Sequence, residues 1–190
     1  MMKRLLIAAI FLGLLAGCQT YALHGANKPR LVQNALSVTP TQTWNVKAMD
    51  NREVWTIDGE ALQTLWFWNR LDDSAVLWPI PGETEVPQFK RSMTPNDVVD
   101  FVARSLSGLG HSAVETGTLR PAKVAGRKGF RFDMSFVLRS GTEQQAVVFG
   151  VRDRTERLSL VMFSAHPEFY FDRHIDEVVG MLKSAKLSDT

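Results

Sequence analysis

The sequence lacks the features that mark several protein classes. Its 190 residues include one cysteine, which excludes a disulfide framework and a cysteine-rich zinc module. Lysine and arginine total 22 and aspartate and glutamate total 20, so there is no excess of positive charge to favour a nucleic-acid partner. No apolar run reaches the ~18 residues of a transmembrane helix. Apolar residues nevertheless make up 45% of the chain, a mixture typical of a globular protein.

The N-terminal segment combines a basic start with an apolar run, which predicts a signal peptide over residues 1–17. Lys3 and Arg4 precede the uncharged stretch Leu5–Ala16. As a helix this stretch rises ~18 Å, which is too short for a hydrocarbon core of ~30 Å. Without Lys3 and Arg4 the charges of the two signs balance, so we expect a neutral mature domain.

The four residues Leu15–Cys18 resemble the lipobox of bacterial lipoproteins, whose pattern is leucine, two small residues and cysteine. The resemblance implies cleavage between Gly17 and Cys18, and covalent lipid on Cys18 as the membrane anchor. Two or three acyl chains hold a protein at a membrane far more firmly than one chain does. An ordinary cleaved signal with an incidental cysteine is the alternative interpretation.

The residues that follow Cys18 carry two further predictions. In well-studied lipoproteins an aspartate after the cysteine retains the protein in the inner membrane. Gln19 stands there instead and favours the outer membrane, with the domain facing the periplasm. Residues 18–33 show no hydrophobic period and contain Gly25 and Pro29, so they predict a flexible tether before a single domain over residues 34–190.

The rest of the chain predicts an α+β domain whose mainly antiparallel sheet is covered by helices. A capped helix is expected from Thr94, and a second helix closes the chain. The pair Asp58-Gly59 predicts a two-residue hairpin turn, because a type I′ turn needs positive φ at both positions. The predicted strands are Asn34–Thr39, Trp44–Val46, Glu53–Ile57, Ala61–Trp68, Ala75–Ile80, Ala113–Leu119, Phe130–Leu138, Gln144–Val151 and Leu158–Ala165.

Three segments of the second half, followed by a closing helix to Ala185, resemble PsbP-like domains. They are Gly129–Phe132, Leu158–Phe163 and Ala165–Phe171. This fold is shared by the photosystem extrinsic protein and a Ran-binding nuclear transport factor, and the resemblance implies an α/β/α sandwich. Members of the fold bind quite different partners, so the resemblance implies no function. The segment Trp55–Gly59 also resembles uncharacterised bacterial lipoproteins.

The sequence contains no recognisable catalytic or metal-binding motif. The only thiol is assigned to lipidation, and no serine lies in a Gly-x-Ser-x-Gly pattern. His174 and Glu177, three residues apart, are interpreted as surface polar residues of an amphipathic helix. We therefore expect no catalytic residue, no metal and no cofactor other than the lipid on Cys18.

Two features point to a binding surface. All five tryptophans lie within Trp44–Trp78, and Trp66 and Trp68 share one face of a predicted strand. They favour core packing, but exposed aromatic rings suit a sugar or a protein partner, and we expect one or two to be more than about a third exposed. Arg127 and Lys128 lie between glycines at a predicted turn, where they would meet a phosphate or simply blunt a sheet edge.

The leading hypothesis is a non-catalytic binding or assembly module of the cell envelope, with the membrane and an envelope protein as partners. The alternative is a binder of glycan or lipopolysaccharide that uses Trp66, Trp68, Arg127 and Lys128 as one surface. An enzyme without a recognisable motif is the third hypothesis.

Overall fold

The computed structural model describes residues 21–80 and 85–188. The predicted signal peptide, its cleavage site at Gly17 and the lipidation site at Cys18 lie outside the described residues. The described strands are β1 (Ala22–His24), β2 (Arg30–Val32), β3 (Leu36–Val38), β4 (Trp44–Met49), β5 (Arg52–Thr56), β6 (Gln63–Leu71), β7 (Ser112–Thr116), β8 (Arg120–Val124), β9 (Arg127–Val137), β10 (Glu143–Arg152), β11 (Leu158–Ala165) and β12 (Lys186–Leu187). The helices are α1 (Pro95–Gly108) and α2 (Asp172–Ser184), and a π-helical segment, Pro167–Phe171, leads into α2.

Nine of these strands form one sheet in the order β1-β4-β5-β6-β11-β10-β9-β7, with β8 also paired to β9. Every pair is antiparallel. A smaller sheet has the order β12-β3-β2. The predicted α+β fold with a mainly antiparallel sheet is confirmed.

The central strands of the large sheet are buried on both faces, and every residue of β11 is buried. Successive residues of a strand point to opposite faces, and in β11 Phe163 joins one hydrophobic cluster whereas Met162 joins the other. The first cluster includes Val178 of α2, and the second includes Phe101 of α1. Each face of the sheet therefore has a core that contains residues of one helix.

Helix α1 begins as its sequence predicts. The Thr94 hydroxyl accepts a hydrogen bond from the Asp97 backbone N–H at 3.3 Å, and the Asp97 carboxylate accepts one from the Thr94 N–H at 2.8 Å. These reciprocal bonds satisfy backbone groups that have no partner inside the helix, and such caps contribute about 1 kcal/mol. Pro95 occupies the first helical turn, where its missing N–H costs nothing.

The described part of the expected tether is folded. Strand β1 pairs with β4, with Leu23 opposite Asn45, and β2 pairs with β3. Val32 is fully buried. Strands of three residues are too short to show an alternating pattern, which is why the sequence predicted a tether here. The described fold therefore includes residues 21–33, which were expected to form part of the tether.

Two other local predictions are corrected. Residues Ala75–Ile80 form no strand, and the Leu77 carbonyl accepts a hydrogen bond from the Trp68 indole at 2.9 Å instead of joining a ladder. Strands β5 and β6 do form a hairpin, but their connection covers residues 57–62, and of the Asp58-Gly59 pair only Gly59 has positive φ. The loop is therefore longer than the predicted two-residue turn.

Candidate functional site

The tryptophans lie mainly in the core. Trp44, Trp55 and Trp68 are at most 1% exposed, whereas Trp66 and Trp78 are half-buried. The expectation that one or two tryptophans would be more than about a third exposed is wrong. The expected surface role of Trp68 is also corrected, because both faces of its strand are covered and its ring packs in the core that contains α1 residues.

The two half-buried tryptophans line a cleft of about 260 Å³, which we call the aromatic cleft; its other lining residues include Glu60, Thr64, His111 and Ser164. The Trp66 and Trp78 rings meet edge to face, with centroids 5.9 Å apart and an interplanar angle of 83°. Residues Leu106 and Leu109, at the C-terminal end of α1, close one side of it. The cleft thus combines aromatic walls with a small set of polar groups.

The polar base of the aromatic cleft comes from two neighbouring strands. Thr64 of β6 lies opposite Ser164 of β11, and their hydroxyl oxygens are 2.9 Å apart. Both side chains are buried. At the rim, Glu60 accepts a hydrogen bond from the Tyr21 hydroxyl. Burial and then Glu60 raise the pKa of Tyr21, so the phenol keeps the proton that it donates.

His111 adds a group that the sequence did not single out as a ligand-binding residue. Its ring stacks on Phe136 with centroids 5.4 Å apart, and its buried Nδ1 has no hydrogen-bond partner among the described residues. Burial first, and then the charge of Arg139, lower the pKa of His111 below its ordinary value of 6.5. The neutral imidazole is therefore favoured, and its ring lines the aromatic cleft while its Nδ1 stays buried.

A second cleft, of about 400 Å³, opens at the other end of α1, next to Pro95. Its lining includes three basic side chains and an apolar interior, namely Arg120, Lys128 and Arg152 around Leu119, Pro121 and Phe130. We call it the cationic cleft. Among its described lining residues there is no carboxylate.

Two glycines are among the residues that line the cationic cleft. A Cβ on Gly129 would lie 2.2 Å from the Gly150 carbonyl oxygen, and a Cβ on Gly150 would lie 2.2 Å from the Phe130 ring. Gly150 lies directly opposite Phe130 in the pairing of β10 with β9. The close approach of backbone and ring requires glycine at both positions.

Arg127 and Lys128 do not lie at a turn, contrary to the prediction from the sequence. The hairpin turn is at Ala125 and Gly126, which both have positive φ, and Arg127 and Lys128 are the first residues of β9. Adjacent strand residues point to opposite faces, and only Lys128 lines the cationic cleft. The structure does not bring Trp66 and Lys128 together, because β11 and β10 lie between their strands and they line separate clefts.

The interpretation of His174 as a surface residue is wrong. Its side chain is fully buried, and its Nε2 is 3.0 Å from Asp58 Oδ2. Glu177 instead accepts a hydrogen bond from the Thr41 N–H at 2.6 Å. These contacts attach α2 to two loops of the fold.

In residues 21–80 and 85–188 no three His, Cys, Asp or Glu side chains converge on a metal position. Neither described helix has the length and apolar character to cross a membrane.

No known family matches the chain, and no curated protein does. Solved structures with a similar fold include the solution structure of cyanobacterial PsbP from Synechocystis sp. PCC 6803, with a TM-score of 0.53, 10% identity, and coverage of 92% of this chain and 96% of that chain. The chain has a PsbP-like fold. LpqN, involved in cell envelope biogenesis of Mycobacterium tuberculosis, gives a TM-score of 0.38 and 9% identity over 92% of this chain and 87% of that one. That score is too low to support an argument, and the first likeness shows the fold alone.

Proposed function

We propose that this protein is a lipid-anchored lipoprotein of the cell envelope whose domain binds, without catalysis, a sugar ring in the aromatic cleft. The proposal includes the lipobox at Leu15–Cys18, acylation of Cys18 and a location at the outer membrane, facing the periplasm. It also treats the domain as a helix-covered α/β/α sandwich, which the two hydrophobic clusters support.

The observation that carries the proposal is the contact between Tyr21 and Glu60. Tyr21 is three residues beyond Cys18, and its hydroxyl donates to a carboxylate at the rim of the aromatic cleft. Strand β1 begins at Ala22, and the four-residue step from Cys18 spans at most about 14 Å. Acylation of Cys18 would therefore hold the aromatic cleft close to the bilayer surface.

The groups in the aromatic cleft suit a sugar. Trp66 and Trp78 offer apolar ring faces on which the C–H face of a sugar packs. Thr64 and Ser164 line the cleft with hydroxyls that can hydrogen-bond to sugar hydroxyls, and the neutral His111 ring lies beside them. A largely apolar concave site with few polar groups is the usual form of a small-ligand site.

The number of carboxyl groups that line the aromatic cleft favours binding of a sugar over its hydrolysis. Glycoside hydrolysis generally uses a pair of carboxyl groups on either side of the scissile bond. Glu60 is the one carboxylate among the described residues that line the aromatic cleft, and it already accepts a hydrogen bond from the Tyr21 hydroxyl.

The anchor is tested by the change Cys18→Ser. Metabolic labelling with a palmitate analogue should be lost, and the uncleaved precursor should accumulate. Unchanged labelling in this variant would disprove the lipoprotein assignment.

The sugar site is tested by calorimetric titration with two probes, a tetramer of N-acetylglucosamine and lipid-free core oligosaccharide from lipopolysaccharide. We expect at least one probe to bind, and Trp78→Leu and His111→Gln each to weaken that binding about tenfold. The matched control is Phe169→Ala, which removes an aromatic ring that is 57% exposed and does not line the cleft. If neither probe binds, or if the two cleft variants bind like the control, the sugar assignment is wrong.

An envelope protein partner is a second candidate, favoured by the edge of the large sheet. Strand β1 ends the described strand order, and its Leu23 is 77% exposed. A partner strand adding to β1 would cover this side chain. Co-purification from detergent-solubilised envelope should then yield a partner that is lost in Leu23→Lys and kept in Lys186→Gln.

A further inference from the structure

We infer that the cationic cleft binds an anionic amphiphile with a single alkyl chain, whose carboxylate or phosphate head lies against Lys128 and Arg152. This site is separate from the aromatic cleft, and the inference does not depend on acylation or on sugar binding. Its volume of about 400 Å³ is within the range of small-molecule sites.

The interior of the cationic cleft favours an alkyl chain. Leu119, Pro121 and Phe130 line it, and Phe130 is 8% exposed, so its ring forms part of the wall rather than a free surface. Gly129 and Gly150 also line the cleft, and the Phe130 ring packs directly against Gly150, where a Cβ would lie 2.2 Å from it. These glycines add no polar side chain, so the interior suits an alkyl chain better than a polar ring.

The charge at the rim favours an anion. Lys128 is exposed, and no carboxylate pairs with it in the part of the chain that the structure describes. The Arg152 guanidinium donates to two neutral acceptors, the carbonyls of Met93 and Glu156, each at 2.7 Å. Its positive charge is held in place by these bonds but is not neutralised by them.

Lys128 and Arg152 line the same cleft and lie just beyond the last described pair of their two strands. Gly129 of β9 lies opposite Val151 of β10, so Lys128 and Arg152 are the next residues of the two paired strands. Arg120 contributes less, because it lies 4.0 Å from Asp133 in an exposed pair. An anionic head between Lys128 and Arg152 gains two charge-assisted contacts.

The test uses the full chain as purified from cells and a photoreactive diazirine analogue of dodecanoate, with the labelled residues mapped by mass spectrometry. We expect one label per chain, on the peptides that carry Leu119 and Phe130. Excess dodecanoate or dodecyl phosphate should displace the analogue, and dodecanol, which has no charge, should displace it at least tenfold less well. Displacement by only one of the two anions would identify its head group as the one preferred.

Two variants and a control separate the parts of the site. Lys128→Gln should weaken labelling about tenfold, and Leu119→Trp, at a half-exposed position, should fill the mouth and abolish it. Lys186→Gln removes an exposed lysine from β12 and should label like the wild type. Circular dichroism checks that each variant is folded. Labelling spread over other surfaces, equal displacement by dodecanol, or labelling that is unchanged in both cleft variants would overturn the inference.

Discussion

The aromatic cleft and the cationic cleft share a strand but differ in chemistry. Strand β9 contributes Phe130 to the cationic cleft and Phe136 to the aromatic cleft, and helix α1 borders them at opposite ends. The aromatic cleft has neutral hydroxyls, one imidazole and one carboxylate, whereas the cationic cleft has basic side chains around apolar residues and two glycines. One sheet face therefore presents two clefts of different chemistry, which is set by the side chains at its two ends.

The largest expected effect is a loss of stability caused by a change in the core that lies between the two clefts. Phe132 lies on β9 between the two clefts and is fully buried in the core that contains α1 residues. Phe132→Ala should lower the free energy of unfolding by about 3–5 kcal/mol, because it removes apolar contacts and leaves a cavity. Urea denaturation measures this loss. The control Phe169→Ala changes an exposed ring, and a loss of similar size there would contradict the described core.

An intermediate effect is expected from a change that affects the cationic cleft alone. A Cβ on Gly150 would lie 2.2 Å from the Phe130 ring, so Gly150→Ala forces that ring to move and changes the wall of the cleft. The free energy of unfolding should fall by about 1–3 kcal/mol, as for other overpacked sites. Binding of the dodecanoate analogue should be lost while sugar binding stays. Loss of both activities would mean that the clefts are not independent.

The smallest expected effect is a pH dependence of stability that comes from His111 of the aromatic cleft alone. Burial, and then Arg139, hold the pKa of folded His111 below 6.5, so between that lowered value and 6.5 the unfolded state binds more protons. The contribution of His111 to stability is therefore present above pH 6.5 and is lost as pH falls through the folded pKa. Urea denaturation between pH 7.5 and pH 5 should show a decrease that is smaller in His111→Gln. Equal decreases would exclude His111 as the source.

Much of the scaffold could be predicted from local patterns. The alternation through Phe130, Phe132 and Met134 and the Thr94 cap of α1 are short-range signals, and both predictions were confirmed. Strands β1 and β2 were missed because three residues carry no period. Residues 75–80 were misassigned because their apolar character serves contacts such as the Trp68–Leu77 hydrogen bond rather than a ladder.

The sites were less predictable because they depend on contacts between distant segments. Trp66 and Lys128 were both identified as candidates, but the strand order that separates them is a tertiary property. Thr64 and Ser164 are 100 residues apart in the chain and meet only through the pairing of β6 with β11. The burial of His174 likewise depends on where α2 packs, which its spacing to Glu177 does not reveal.

The central claim is that the anchored domain holds its aromatic cleft beside the membrane. Glu60 is tied to Tyr21 near the anchor, whereas Lys128 lies six strand spacings from β1, about 29 Å at ~4.8 Å per spacing. The most direct measurement is energy transfer to acceptor lipids in vesicles from a dye on Ala61→Cys, the exposed residue next to Glu60, or on Lys128→Cys, with Cys18 acylated. The account predicts clearly stronger transfer from position 61. Equal transfer from the two positions, or stronger transfer from position 128, would contradict it.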